Sequence, residues 1–393
     1  MGLEALDQSE IRTAIPADTR KPATRSRAEA DGATRGRLHS LDAFRGLALL
    51  GMLLVNNAAL DTATPTQMTH AAWNGGLHLA DLVFPWFLLA VGVAIPYARA
   101  AQKARGAAWW RLGAKVLSRS AALIALGWLV DSSLAHRPLL GLGVLQLIGL
   151  AYLFASLLYG LPLTGRLAAA SALLAGHWAL LHFLPVPGRG AGVVLEKANV
   201  VFYLNEVYLR PLHLQGLISA VPTAALVLLG TAVGDLLRRD ARSGLHRLLW
   251  LVGMGLLLAT LGALWARDLP VNKALWTSSY ILLTAGLGCL ALALWYALLD
   301  LSGWRAVGYP LAVLGSNAIL AYVAPILVKV YILQGWTWSG PNGSPLSLQQ
   351  AYLEFLRTGF GMVAGGWLYT ASYVLVWWVV LAYLHRKRIF LRV

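Results

Sequence analysis

His70 lies in a polar loop between two apolar runs of membrane length, and Asp81 opens the second run. An imidazole, with an ordinary pKa near about 6.5, is the side chain suited to take a proton from an attacking amine or hydroxyl, or to accept an acyl group itself. Asp81 can hold that ring in one tautomer, and Asn56 or Asn57, at the end of the first run, can donate to a developing oxyanion. The opposite ends of these runs carry cations. Asp42 and Arg45 open the first run, and Lys115 and Arg119 sit four apart at the start of the third, so that pair shares a helix face. Arginine and lysine at one membrane level suit the phosphates of a donor, with proton chemistry reserved for the far end. Bland roles compete for each residue. A loop histidine is commonly just solvated, an aspartate opening a helix is commonly its N-cap, and cations near a helix start commonly snorkel to the headgroups.

The elements that must position these groups are membrane helices. Hydrophobic residues make up 58% of 393 positions and charged ones 12%, and runs of about 20 apolar residues recur, the length that crosses ~30 Å of hydrocarbon. The runs fall near 44–60, 79–98, 113–131, 139–160, 167–184, 216–236, 247–265, 275–299, 308–332 and 363–384. The fold class is therefore all-α, a polytopic bundle of about ten transmembrane helices in a lipid bilayer. Residues 1–38 hold few large apolar side chains and read as a disordered basic cytoplasmic tail. No basic n-region followed by an apolar h-region opens the chain, so the first membrane helix is expected to direct insertion.

The net charge of +15 sits in short clusters between apolar runs, which points to membrane orientation and away from nucleic acid. Arg25 to Arg37, Arg99 to Arg111, Arg238 to Arg247 and Arg386 to Arg392 share one side if the helices alternate, while residues 61–78 hold no Lys or Arg. Both termini are then cytoplasmic and His70 faces outward, with the plasma (inner) membrane as the expected location. Cys289 is the single cysteine, which excludes an intrachain disulfide and a thiolate-rich metal site; no metal is expected. Pro85 should kink the second helix and free backbone carbonyls that the bundle must satisfy. Asn317 is a polar residue deep in the ninth run and suits a bridge between helices. His177 and His182 read as core or cavity histidines. The long connections 185–215 and 333–362 can cover the outer face, and the GRGAG run from Gly188 lies too far outside for nucleotide phosphates.

The stretches RLHSLDAFRGLALLGMLLVNN, HAAWNGG and ADLVFPWF, followed by GAKVLSRSAAL, GLGVLQLIGLAY, LPVPG, LPVNKALWTSSY, GSNAILAY and RKRIFLRV, resemble in order the heparan-α-glucosaminide N-acetyltransferase family. The resemblance covers nearly everything after the tail, making residues 39–393 a transmembrane acyltransferase-like bundle. It implies transfer of an acetyl group from cytosolic acetyl-CoA to an amino-sugar acceptor across the membrane. Carried over by position, it implies catalytic His70, Asp81 and Asn56, with Lys115 and Arg119 as the family's basic pair, joined by Arg45 at the donor end. Asn272, Lys273 and Trp276 match its PVNKxLW segment near the acceptor, with Trp73 and Asn74 from the WNGG turn.

The chain also departs from the family pattern. RPLHLQGLIS, with Gln215 before Gly216, replaces an acidic Asp-Pro-Glu-Gly stretch, Gln146 is followed by Leu147 where Gln-Arg is usual, and an extra residue adds His78 as a rival base. These changes bear on the acceptor. The alternative reading is a transporter or flippase-like protein that moves a sugar or lipid-linked substrate without covalent chemistry. Such proteins often show related halves, and no internal repeat is evident here. A homodimer is an open option.

Overall fold

The computed structural model describes residues 38–391, apart from 74, 107, 240–242 and 341–342. The tail, Asn74, Arg242 and Arg392 lie outside the described residues. Every apolar run identified above is helical: α1 (His39–Asn57), α2 (Leu79–Ala104), α3 (Trp109–Ala135), α4 (Val144–Leu158), α5 (Leu163–Phe183), a short α6 (Val200–Leu204), α7 (Ala220–Arg239), α8 (Gly244–Trp265), α9 (Ser278–Trp295), α10 (Arg305–Ser316), α11 (Ala318–Val328), α12 (Leu348–Phe360) and α13 (Met362–Arg386). One hairpin, β1 (Thr337–Ser339) against β2 (Pro345–Ser347), precedes α12. Among the described residues six helices are long and apolar enough to cross a membrane: α2, α3, α7, α8, α9 and α13, or seven if α10 and α11 form one broken span.

Glycines set the closest packing. Gly92 of α2 lies against the Val227 carbonyl of α7 and Gly230 against that of Leu89, at distances a Cβ would not allow. Gly262 and Gly286 do the same between α8 and α9, as expected where small residues let membrane helices approach. Helix α7 is enclosed by α2, α4 and α5, whereas α3, α8 and α13 turn Leu117, Leu129, Leu256, Leu257, Leu375 and Val379 outward, the surface a bilayer would cover.

Contacts between helix ends define two faces. On one, Asp300, just past α9, accepts from the first amides of α1, His39 N at 3.1 Å and Ser40 N at 3.0 Å. The end of α2 meets the end of α4 through Arg99 and the Ser156 carbonyl, and buried Arg166 at the start of α5 pairs with Asp235 near the end of α7. Arg105, Arg238, Arg247 and Arg386 belong to this basic face. The opposite face collects the end of α1, the starts of α2 and α9, and the long connections. There Trp73 donates to the Val194 carbonyl at 2.8 Å, Arg357 of α12 reaches the Ala59 carbonyl and Asp61, and Leu181, Val201, Leu269 and Leu275 form an apolar cluster with Trp73 and Trp265.

Two expectations are refined here. The ninth run is two helices bent by 66° at Asn317, because Gly46 and Gly315 seat α10 directly on the first turns of α1 and only α11 rises away from that face. Asn317 itself ties the bend to the chain end through the Ile389 carbonyl and Leu391 N–H, at 3.0 and 2.9 Å. Helix α2 continues through Pro85 and Pro96 as one helix.

Candidate active site

The polar loop and α2 meet at the carboxylate of Asp81, whose side chain is 2% exposed. Its Oδ2 accepts from the Ala71 and His78 amides at 3.0 and 3.1 Å, the second being one half of a capping box at the helix start. Its Oδ1 faces His70 Nδ1 at 2.9 Å. The N-cap itself is His78, and Asp81 sits three residues in, so the N-cap role weighed from the sequence passes to His78 while Asp81 serves the helix start through one oxygen and the His70 ring through the other. A carboxylate is an acceptor only, so the ring donates to it through Nδ1, and in the neutral imidazole that leaves the lone pair on Nε2, the tautomer a base requires. The His70 side chain is 56% exposed, so the ring is accessible from outside the bundle.

Asp81 is anchored from behind as well. Pro85 has no N–H to offer the carbonyl four residues earlier, which is that of Asp81. Tyr280 of α9, fully buried, supplies the missing donor at 2.6 Å. This is the freed carbonyl expected from Pro85, satisfied inside the bundle.

Lys273, in the connection between α8 and α9, completes the cluster. Its Nζ lies 3.3 Å from Asp81 Oδ1, 2.9 Å from His70 Nδ1 and 3.3 Å from Nε2. The lone pairs of the two ring nitrogens diverge, so a donor on the axis of one would be far from the other. Being close to both, Nζ sits over the edge of the ring face, and its hydrogen bond goes to Asp81. Burial holds the ammonium below the ordinary lysine range, against the carboxylate of Asp81, which acts to raise it.

The neighbouring residues are scaffold. Asn272, 5% exposed, donates to the Trp73 carbonyl at 2.8 Å and accepts from Leu275 N–H at 3.0 Å, locking the two loops together. Trp276, 6% exposed, packs edge-on against Phe84 and Tyr280. His177 fixes the same connection through the Leu275 carbonyl at 2.9 Å, so the core histidine weighed above carries a support role. His78 bonds the Thr69 carbonyl through Nδ1 at 3.0 Å.

Asn56 is not joined to this cluster by any hydrogen bond among the described residues. It stands exposed at the end of α1, and its carbonyl, with the Asn57 side chain, receives Lys329 at 3.1 Å each. Asn57 is buried and also donates to the Leu53 carbonyl. Lys329 was not singled out from the sequence, although a lone lysine in the ninth apolar run was a visible signal. Tyr280 gave none.

The donor-end candidates lie on the basic face. Arg45 is 3.7 Å from Asp42. Arg119 stacks over Tyr152 of α4 at 4.9 Å, and its buried Nε has no partner. Lys115 is exposed one turn earlier. The orphaned Arg119 guanidinium nitrogen, one turn from exposed Lys115, fits a phosphorylated donor. Gln146, noted for lacking an arginine neighbour, turns instead to Asp131 of α3 at 2.7 Å. Among the described residues no group of three or more His, Cys, Asp or Glu could hold a metal ion.

The family model described as heparan-alpha-glucosaminide N-acetyltransferase, catalytic, matches residues 37–267. The human protein named heparan-alpha-glucosaminide N-acetyltransferase is 27% identical over 91% of this chain, and the mouse protein of that name 26% over the same share. The chain spans 60% of the length of each of these relatives. With the family model covering more than half of its length, including His70 and Asp81, the chain belongs to the heparan-α-glucosaminide N-acetyltransferase family.

Proposed function

We propose that the chain is a membrane acetyltransferase that takes the acetyl group of cytosolic acetyl-CoA and places it on an amino-sugar-type acceptor on the other side of the inner membrane. The observation that carries the reading is the exposed His70, backed by buried Asp81, on the face opposite the basic one. Ten crossings, made by α1 to α5, α7 to α9, α11 and α13, agree with the alternation of helix ends and with both termini on the cytoplasmic side. Arg45, Lys115 and Arg119 would hold the phosphates of the donor at the basic face. The PVNK connection and the loop around Trp73 border the entrance for the acceptor, with Asn272 and Trp276 shaping it from beneath. Asn56 enters this reading by its place in the family motif alone.

Chemically, Nε2 of His70 takes a proton from the acceptor amine as its nitrogen attacks the acetyl carbon. The C–N bond forms, the carbonyl pair moves to oxygen, and its return breaks the C–S bond. The proton held on Nε2 then passes to the departing thiolate, leaving an amide and free coenzyme A. Asp81 keeps the ring aligned and offsets the imidazolium charge in between.

The test is transfer by protein reconstituted in liposomes, with [acetyl-14C]acetyl-CoA supplied to the basic face and glucosamine and other amino sugars to the opposite one. Label on an amine and release of coenzyme A are expected. A well-folded protein that releases no coenzyme A with any amine in the panel is not this enzyme.

A further inference from the structure

The resemblance assigns Lys273 to the acceptor side, and the residue types alone leave the oxyanion to Asn56 or Asn57 near the end of α1, but the geometry divides these roles differently. Asn57 is buried with both ends of its amide engaged, and Asn56 has no bond to the His70 cluster among the described residues. Lys273 Nζ, by contrast, lies 3.3 Å from Nε2, the nitrogen that must meet the attacking amine. One of its protons is spent on Asp81. Since Nζ sits over the ring and not on a ring lone pair, its remaining protons are not committed to either ring nitrogen and can serve a further acceptor. The amine attacks beside Nε2, so the carbonyl it attacks is within reach of that ammonium. A charged donor held in a largely enclosed position, 27% exposed, stabilises developing negative charge more strongly than an amide in water, and it is aimed before the reaction begins.

We propose that Lys273 is a catalytic residue, the donor that stabilises the oxyanion formed when the acceptor attacks the acetyl carbonyl above His70. The proposal rests on the acetyl-transfer reading. As the carbonyl pair moves to oxygen, Lys273 donates a hydrogen bond without giving up its proton, and the bond weakens again when the carbonyl re-forms and the thiolate leaves. Asp81 holds the ammonium in place, and Tyr280 and Pro85 fix Asp81. Around Lys273 stand His70 and Asp81, His78 at the start of α2, and His177 of α5 behind Leu275. The acidic partner among them is already engaged with two amides and the ring, so Lys273 is the group whose proton controls the oxyanion position. Burial depresses its affinity for that proton, and kcat should therefore fall on the alkaline side at a pH below that of an ordinary lysine.

The experiment compares wild type, K273M, K273R and N56A with acetyl-CoA and glucosamine, measuring coenzyme A release across pH, donor binding by calorimetry and thermal stability. K273M should lose about 10²–10³-fold in kcat, with donor affinity and the KM for glucosamine nearly unchanged. K273R should recover part of that loss and lack the alkaline fall, because a guanidinium keeps its proton there. A raised KM with kcat preserved in K273M would return Lys273 to acceptor binding and overturn the proposal. So would an alkaline fall that persists in K273R, or a full-sized kcat defect in N56A with none in K273M. Wild-type protein that releases no coenzyme A overturns the acetyl-transfer reading itself, and this proposal with it.

Discussion

The hydroxyl of Tyr280 donates to the carbonyl of Asp81 at 2.6 Å, standing in for the N–H that Pro85 lacks. One proline in α2 thus leaves an acceptor that one tyrosine in α9 fills, directly beneath the carboxylate that orients His70. Tyr280→Phe strips the donor from a buried carbonyl and should cost about 1–3 kcal/mol. Pro85→Ala restores a local N–H, so the double variant should be destabilised by less than the sum of the single ones. Thermal melts in detergent give the coupling; strict additivity would show that the two residues do not serve the same carbonyl.

His70→Ala should fold and bind donor, since a half-exposed loop imidazole adds little to the core, while losing at least about a hundredfold in transfer rate. His78→Ala removes a bond to the Thr69 carbonyl and should leave transfer within about twofold, the range of a surface change. Rates of the two variants, measured side by side, identify the base. Full activity in His70→Ala with a dead His78→Ala would move the chemistry eight residues along the chain.

Arg119→Leu should weaken acetyl-CoA binding by about tenfold or more, the loss expected when a charge-assisted bond to phosphate is removed. Isothermal calorimetry reads it directly. Binding equal to wild type in both the Arg119 and Lys115 variants would leave these side chains as lipid-headgroup contacts.

Orientation is open to labelling, because Cys289 is fully buried and native thiol reactivity is low. A cysteine at Thr66 should react with an impermeant maleimide added outside intact cells, and one at Arg105 should react only after permeabilisation. The reverse pattern would invert the bundle and put His70 in the cytoplasm.

The helices were legible because a bilayer imposes one length and one composition on each of them, and every run read from the sequence is helical. The bend at Asn317 was not legible, since it arises from α10 lying on Gly46 of α1, a contact between residues far apart in the chain. The pairing of His70 with Asp81 was anticipated because Asp81 opens the helix that follows the loop carrying His70. Lys273 was placed in the right neighbourhood with a different partner, because nothing in PVNK tells whether its ammonium points to the acceptor or inward to a carboxylate on α2. Tyr280 could not be read at all; a tyrosine in an apolar helix acquires meaning only once Pro85 has emptied the position opposite it.

Asp300 also bears on how the protein is made. Helix α1 is the first described helix to leave the ribosome, yet two of its opening amides are satisfied by a carboxylate 261 and 260 residues downstream. Until residue 300 has been synthesised, that partner for the opening amides is missing. A nascent chain interrupted before residue 300 therefore lacks the carboxylate that accepts from these two amides. The segment just past α9 thus completes the start of α1, so the first helix acquires its full set of hydrogen bonds only with a late part of the chain.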